Sequence, residues 1–232
     1  MPHVTSELRE GIAIVRLDDG KANALSHALL GELHDALDRA DKEATAVVLL
    51  GRPGKFSAGF DLQEMMAGPA RAQALLTRGS ETLLRLYELP QPLVIAASGH
   101  ALAGGALTVL TGDVRVMARG AFRIGLNEVQ IGMPLPILAM ELARDRLNPS
   151  HLTAATLFAN VVDPEQALLA GWVDELTDAD KLLDVAFAHA KKLSALPREP
   201  YAKTKRALRE KTIRYIRETF ADDLKRLLPA GA

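Results

Sequence analysis

Short apolar segments constrain the fold of this chain more than any other feature. Residues 46–51, "AVVLLG", form a continuous apolar run without polar alternation, which is typical of a strand buried on both faces of a parallel sheet. "IAIVRL", "LVIAA" after "LPQP", and "VRVMA" have the same strand-like character. Between them the apolar residues recur at helical spacing. Strands that alternate with helices in this way predict an α/β fold.

The predicted helices have recognisable start signals and apolar faces. Ser26 is placed to cap a helix whose leucines share one face, namely Leu25, Leu29, Leu30, Leu33 and Leu37. Further helices are predicted from about Asp61, over residues 69–88, in "ALAGGALTVLTGD", and through most of the chain after Pro136. "RPGKFSAGF" between them reads as a loop because it contains Pro and Gly.

The last segment, from "PYAKTKRALREK" onwards, predicts one long charged amphipathic helix or a pair of helices. We expect its apolar face to be buried against the core or a neighbouring subunit. That face comprises Leu208, Ile213, Ile216 and Leu224.

Composition excludes several classes of function. The 232 residues suffice for one well-buried domain, and the formal net charge of -1 gives no electrostatic footprint for nucleic acid or an anionic membrane. There are no cysteines, and the six histidines lack the spacing of metal ligands. No apolar run resembles a signal peptide or a membrane span, so the sequence predicts a cytoplasmic protein without a membrane or nucleic-acid partner.

Two glycine-containing stretches are candidates for binding a ligand through backbone N–H groups. In "GKFSAGFDL", residues 54–62, glycines allow close approach and Phe60 suits the wall of an apolar pocket, although an ordinary turn capped by Asp61 explains the same pattern. In "GHALAGGALTVLTGD", Gly104 and Gly105 stand where an apolar helix begins. A free N–H there suits an oxyanion site, and close helix packing is the alternative.

Glu128 is the one acid within "IGLNEVQIG", residues 124–132. Burial beside Leu126, Val129 and Ile131 would raise the pKa of its carboxyl towards neutrality and make it able to take and return a proton. The alternative is a surface-facing glutamate on a short helical turn.

These stretches, in this order and preceded by "VRLDDGKANALS", resemble the crotonase (enoyl-CoA hydratase/isomerase) superfamily over nearly the whole chain. The resemblance implies an α/β spiral of ββα repeats over residues 1–195, followed by a C-terminal helical trimerisation region over residues 196–232. It also implies a homotrimer or a dimer of trimers.

The resemblance further implies a coenzyme A thioester as the substrate and no separate cofactor. Phe60 and Gly104 match the positions whose N–H groups hold the thioester oxygen. The positions that match the coenzyme A groove are Lys21, Ala22, Ala24, Ala58, Asp61 and Leu62. Basic residues of the tail could supplement the binding of coenzyme A. The favoured alternative is that they lie on a solvated face of the helix. These are Lys203, Lys205 and Arg206.

The carboxylates decide which reaction of the superfamily is expected. Hydratases hold water between two glutamates, but the first of these positions is Leu107 here, and Glu128 alone remains. This pattern is similar to the Δ3,Δ2-enoyl-CoA isomerase branch, with Glu128 as a proton shuttle.

Two alternatives to the isomerase remain open. One is a hydratase, or another crotonase reaction, that recruits Glu64 or Asp113; the other is a non-catalytic acyl-CoA-binding homologue. We expect the depth of the acyl pocket to depend on Met65, Met66, Met133 and Leu138.

Overall fold

The computed structural model describes residues 2–228, which form nine strands and nine helices. The strands are β1 (Val4–Arg9), β2 (Ile12–Leu17), β3 (Ala46–Leu50), β4 (Gly54–Ser57), β5 (Leu93–Ala97), β6 (Gly99–Leu102), β7 (Val114–Ala118), β8 (Ile124–Gly125) and β9 (Glu175–Thr177). The helices are α1 (His27–Glu43), α2 (Leu62–Met66), α3 (Pro69–Glu88), α4 (Gly104–Leu110), α5 (Ile137–Arg146), α6 (Pro149–Thr156), α7 (Pro164–Ala170), α8 (Leu182–Ser194) and α9 (Arg198–Leu227).

The larger sheet contains the apolar runs that the sequence singles out. Its order is β1-β2-β3-β5-β7-β9, and all neighbours are parallel except the antiparallel pair β1 and β2. Every residue of β3 and β5 is buried, which confirms the prediction of strands covered on both faces. Helix α8 covers one face, where Phe187 meets Val48 and Val94, and the main core with Trp172 fills the other.

A smaller parallel sheet, in the order β4-β6-β8, gives the fold its repeat. The strand pairs β3 and β4, β5 and β6, and β7 and β8 each place one strand in the larger sheet and the next in the smaller one. Helices α2 and α3 follow the first pair, α4 follows the second, and α5, α6 and α7 follow the third. The predicted spiral of ββα units is therefore present. The prediction of a loop over "RPGKFSAGF" was wrong in part, because Gly54–Ser57 pairs with β6.

Helix α9 is a single helix of 30 residues that packs on α3 and α5. Ile213, Ile216 and Leu224 are buried as expected. Leu208 is instead 79% exposed on the chain, so its burial against another subunit stays a prediction.

Buried charges fix the first half of α9 to the core. Lys205 Nζ and Arg209 Nη2 lie 2.6 and 2.8 Å from the carboxylate of Asp113, which also accepts the N–H of Leu93. Lys205 is therefore not on a solvated face, and it is not free to bind coenzyme A. Lys203 and Arg206 are exposed. None of the helices within residues 2–228 combines the length and the hydropathy needed to cross a bilayer.

Candidate active site

All three candidate stretches contribute residues to the lining of one cavity of about 150 Å³. Its lining is apolar apart from two side chains, Asn127 and Glu128. The lining residues are Ala58, Phe60, Leu62, Met65, Leu76, Ala103, Leu107, Asn127, Glu128, Ile131, Met133, Pro134, Pro136, Leu227 and Leu228.

One side of the cavity is formed by the backbone around Phe60. The N–H of Leu25 donates to the carbonyl of Gly59, and the N–H of Asp61 donates to the carbonyl of Leu25. The N–H of Phe60, between these two bonds, donates to no acceptor within residues 2–228. Gly59 has φ of +90°, and a Cβ there would lie 2.9 Å from the carbonyl oxygen of Leu102, so the close approach requires glycine.

The first turn of α4 lies against this backbone. A Cβ on Gly59 would lie 3.1 Å from the nitrogen of Gly104, so the peptide before Phe60 and the helix N-terminus are neighbours. The N–H of Gly104 likewise has no acceptor in the part of the chain that the structure describes, as expected for the first turn of a helix. Two free N–H groups this close together, with Phe60 and Ala103 on the cavity lining, suit a site for a developing oxyanion.

The residue before this turn is strained. Ala103 adopts φ of +50° and ψ of −122°, a combination that residues other than glycine rarely adopt. Its N–H is held by the carbonyl of Gly125. For Gly105, close packing explains the glycine, because a Cβ would lie 2.3 Å from the carbonyl oxygen of Ser57.

Glu128 lies three residues after the end of β8 and directly precedes a 3-10 turn over Val129–Ile131. Its side chain is buried, with the residue 9% exposed, and its Oε2 atom has no partner. Burial raises the pKa of this carboxyl to about 7. Among the described residues no cation pairs with it, so the surface-facing alternative is wrong.

Asn127 is a polar lining residue that the sequence reasoning missed. Its Oδ1 atom is buried and, like Oε2 of Glu128, has no hydrogen-bond partner. Native proteins rarely leave such atoms unpaired, so two adjacent cases in one cavity indicate a site for a polar ligand group or water. The sequence signal is the amide directly before the acid in an otherwise apolar run.

The residues predicted to line a coenzyme A groove lie on two adjoining loops. Ala58 and Leu62 line the cavity, and the N–H of Ala58 donates to the carbonyl of Ala22. Lys21 and Ala24 lie on the same loop as Ala22, outside the cavity lining.

The carboxylate of Asp61 caps α2 by accepting hydrogen bonds from the N–H groups of Gln63 and Glu64. This is the capping role that the sequence offered as the alternative to ligand binding. Its role towards coenzyme A stays a prediction, as do the roles of the other groove residues.

Asn23 organises this pair of loops and was not predicted from the sequence. It is fully buried at φ of +53°, and its amide donates to the carbonyls of Leu17, Lys55 and Phe56. The hydroxyl of Ser57 in turn donates to the carbonyl of Asn23. These bonds hold the loop that contains Ala22 against the end of β4.

The other proposed carboxylates do not reach the cavity. Glu64 contacts His27 and Arg71, and Asp113 forms an ion pair with Lys205 in α9. Neither belongs to the cavity lining. Of the residues expected to set its depth, Met65 and Met133 line it, whereas Met66 points outwards and Leu138 packs in the core.

Known proteins share both the sequence pattern and the fold. The family described as enoyl-CoA hydratase/isomerase matches residues 7–227. Human mitochondrial enoyl-CoA delta isomerase 1 is 32% identical over 87% of this chain and 68% of its own length. A putative enoyl-CoA hydratase of Thermus thermophilus is 34% identical over 79% of this chain and 74% of its own.

The crystal structure of an enoyl-CoA hydratase/isomerase family protein from Pseudomonas syringae superposes with a TM-score of 0.95. It is 35% identical, over 97% of this chain and 98% of the other. Residues 7–227, which the family matches, include Phe60, Gly104 and Glu128. The chain belongs to the enoyl-CoA hydratase/isomerase family, the crotonase superfamily.

Proposed function

We propose that this protein moves the double bond of a 3-enoyl-CoA thioester to C2, with Glu128 as the one acid–base group. A single observation carries the proposal. One buried carboxyl, with a pKa raised to about 7 and an unpartnered Oε2 atom, faces a cavity that is otherwise lined by apolar residues and one amide.

The first step transfers a proton from C2 of the thioester to the Glu128 carboxylate. The electron pair of the broken C–H bond delocalises over the double bond and the carbonyl, which gives a dienolate with its charge on the thioester oxygen. The N–H groups of Phe60 and Gly104 would hold this oxygen. Each such donor is typically worth ~3–4 kcal/mol in the transition state.

The second step returns the proton from Glu128 to C4, so that the double bond lies between C2 and C3 and no atom is gained or lost. A carboxyl with a pKa near the working pH performs both proton transfers. Its ionised form is a strong enough base to take the proton, and its protonated form is a strong enough acid to return it. Its apolar surroundings also exclude competing water.

Hydration is the second candidate reaction, and Asn127 is the observation in its favour. Its unpartnered amide oxygen lies in the same cavity as Glu128 and offers one partner for a water molecule. Leu107 lines that cavity where a hydratase would have its second glutamate, and leucine can neither orient water nor exchange a proton. The proposal therefore expects isomerisation to exceed hydration.

The test compares double-bond migration in 3-hexenoyl-CoA with hydration of 2-hexenoyl-CoA. Wild type is expected to isomerise, and Glu128→Gln is expected to lose at least ~100-fold in kcat, as for removal of a general base. Glu64→Gln serves as the control, since it removes a carboxylate of the neighbouring helix α2 that lies outside the cavity lining, and it is expected to retain activity within about threefold.

Three results would contradict the proposal. Hydration faster than isomerisation in wild type would favour a hydratase. Loss of activity in Glu64→Gln, with Glu128→Gln unaffected, would place the acid–base group elsewhere. Binding of both thioesters without turnover would favour a non-catalytic acyl-CoA-binding protein.

A further inference from the structure

The C-terminal end of α9 forms part of the lining of the cavity. Leu227 and Leu228, at the last turn of α9, line it together with Met133, Pro134 and Pro136 from the segment before α5. Both leucines are only half-buried, so contacts elsewhere hold this turn in place.

Two side chains near the end of α9 form an ion pair with each other and also hydrogen-bond to the chain around the start of α5. Asp223, only 5% exposed, accepts the N–H of Ile137 at 2.6 Å through Oδ2 and contacts Arg226 Nη2 at 2.6 Å through Oδ1. Arg226 Nη2 also donates to the carbonyl of Leu135 at 2.7 Å. We call Asp223 and Arg226 the latch.

The latch satisfies a helix end that has no other side-chain cap. Pro136, at the N-cap position of α5, offers no capping side chain, so Asp223 receives the first N–H of that helix. A carboxylate at this position also interacts favourably with the positive end of the helix dipole. Apart from Leu224, the flanking residues of α9 are exposed or half-buried, so the latch and Leu224 are the main attachments of the last turn.

We propose that the latch limits the length of the acyl chain that this protein binds; this inference rests on the proposed acyl-CoA function. The cavity has a volume of only about 150 Å³, and Leu227 and Leu228 form part of its lining. A longer chain has to displace Leu227 and Leu228, which requires the contacts of Asp223 with Ile137 and of Arg226 with Leu135 to break.

The experiment measures calorimetric binding of hexanoyl-CoA and dodecanoyl-CoA, which are saturated and so bind without turnover. Asp223→Ala is expected to bind dodecanoyl-CoA about tenfold more tightly than wild type, with hexanoyl-CoA unchanged within about twofold. Asp222→Ala is the matched control, because the Asp222 carboxylate is next to Asp223 in the sequence but is exposed and pairs with Lys225. It is expected to match wild type for both ligands.

A second pair of variants covers the case in which Asp223→Ala fails to fold. Arg226→Gln is expected to shift the chain-length preference in the same direction, and Lys225→Gln is its matched control. Hydrogen exchange of residues 224–228 should accelerate in Asp223→Ala and Arg226→Gln only. This readout needs no ligand.

The outcomes separate the latch from the reaction. The expected binding pattern without isomerisation by wild type would support the latch and contradict the proposed reaction. An unchanged ratio of the two dissociation constants in Asp223→Ala and Arg226→Gln would overturn the latch, whatever the isomerase assay gives. No binding of either thioester to wild type would overturn both.

Discussion

Two carboxylates with little exposure, Asp113 and Glu128, lie in opposite surroundings. Asp113, at the turn between α4 and β7, is contacted by Lys205 and Arg209 of α9 and accepts the N–H of Leu93. Glu128, beside the cavity, has a buried Oε2 atom without any partner. The first acid joins distant parts of the chain, and the second faces only the space for a ligand.

The difference shows how surroundings assign the role of an acid. A buried charge needs opposite charges and donors, and Asp113 has both, so it serves the fold. The cost of burial around it is still visible, because burial lowers the pKa of Lys205 to about 8 even beside Asp113. Glu128 lacks such compensation, and its pKa rises to about 7, where a proton can leave and return.

The largest expected effect comes from removing the paired acid. Asp113→Ala leaves Lys205 and Arg209 buried without their counter-charge, so the free energy of unfolding should fall by about 3–5 kcal/mol. Urea denaturation measures this loss. Asp222→Ala, which removes an exposed acid, should change it by less than about 0.5 kcal/mol. Equal losses in both variants would contradict the comparison.

Removing the lone acid should have the opposite sign. The pKa of Glu128 is about 7 in the folded chain against an ordinary 4.5, so the folded state binds more protons between these values. Its contribution to stability therefore declines as the pH rises from 4.5 to 7 and stays low above that.

Glu128→Gln removes this pH-dependent loss. The variant should exceed wild type by on the order of 2–3 kcal/mol above about pH 8 and match it near pH 4. Urea denaturation of both proteins at the two pH values measures the difference, with Asp222→Asn as the control. A Glu128→Gln variant that is less stable than wild type at high pH would show that the carboxylate has a stabilising partner.

The smallest expected effect comes from giving Glu128 a neighbouring acid. Leu107→Glu places a second carboxyl on the same cavity, and two such groups are able to orient one water molecule. Hydration of 2-hexenoyl-CoA should rise about tenfold, which corresponds to about 1.4 kcal/mol in the barrier. Leu107→Gln controls for size and polarity, and an equal rise in both variants would exclude the second carboxylate as the cause.

Much of the fold could be predicted from the sequence, because burial on both faces of a parallel sheet leaves an uninterrupted apolar run. This signal predicted β2, β5 and β7 with their observed bounds, and β3 to within one residue. Helix α1 was predicted with its cap at Ser26, which accepts the N–H of Leu29. The short strands β4, β6 and β8 gave no such signal, because two to four residues containing glycine cannot show a period.

The site could be predicted in part, and what was missed has a physical reason. Glu128 and the two glycine-containing stretches were named because glycines and an acid in apolar surroundings are visible along the chain, whereas the resemblance to the crotonase superfamily gave Phe60 and Gly104 their roles, which stay predictions. Leu227 and Leu228 were missed because their contact with the cavity depends on where α9 ends in space. Asp113 was considered only as a weak catalytic option, because sequence spacing does not show that α9 brings two cations to it.

The pH dependence of kcat/KM for isomerisation of 3-hexenoyl-CoA tests the central claim most directly, since it reports the ionisation of the free enzyme's base. If Glu128 moves the proton, kcat/KM rises with pH to a plateau, with a midpoint near its pKa of about 7. The same rise should be absent from the residual activity of Glu128→Gln. An undiminished rise in Glu128→Gln would show that another group moves the proton.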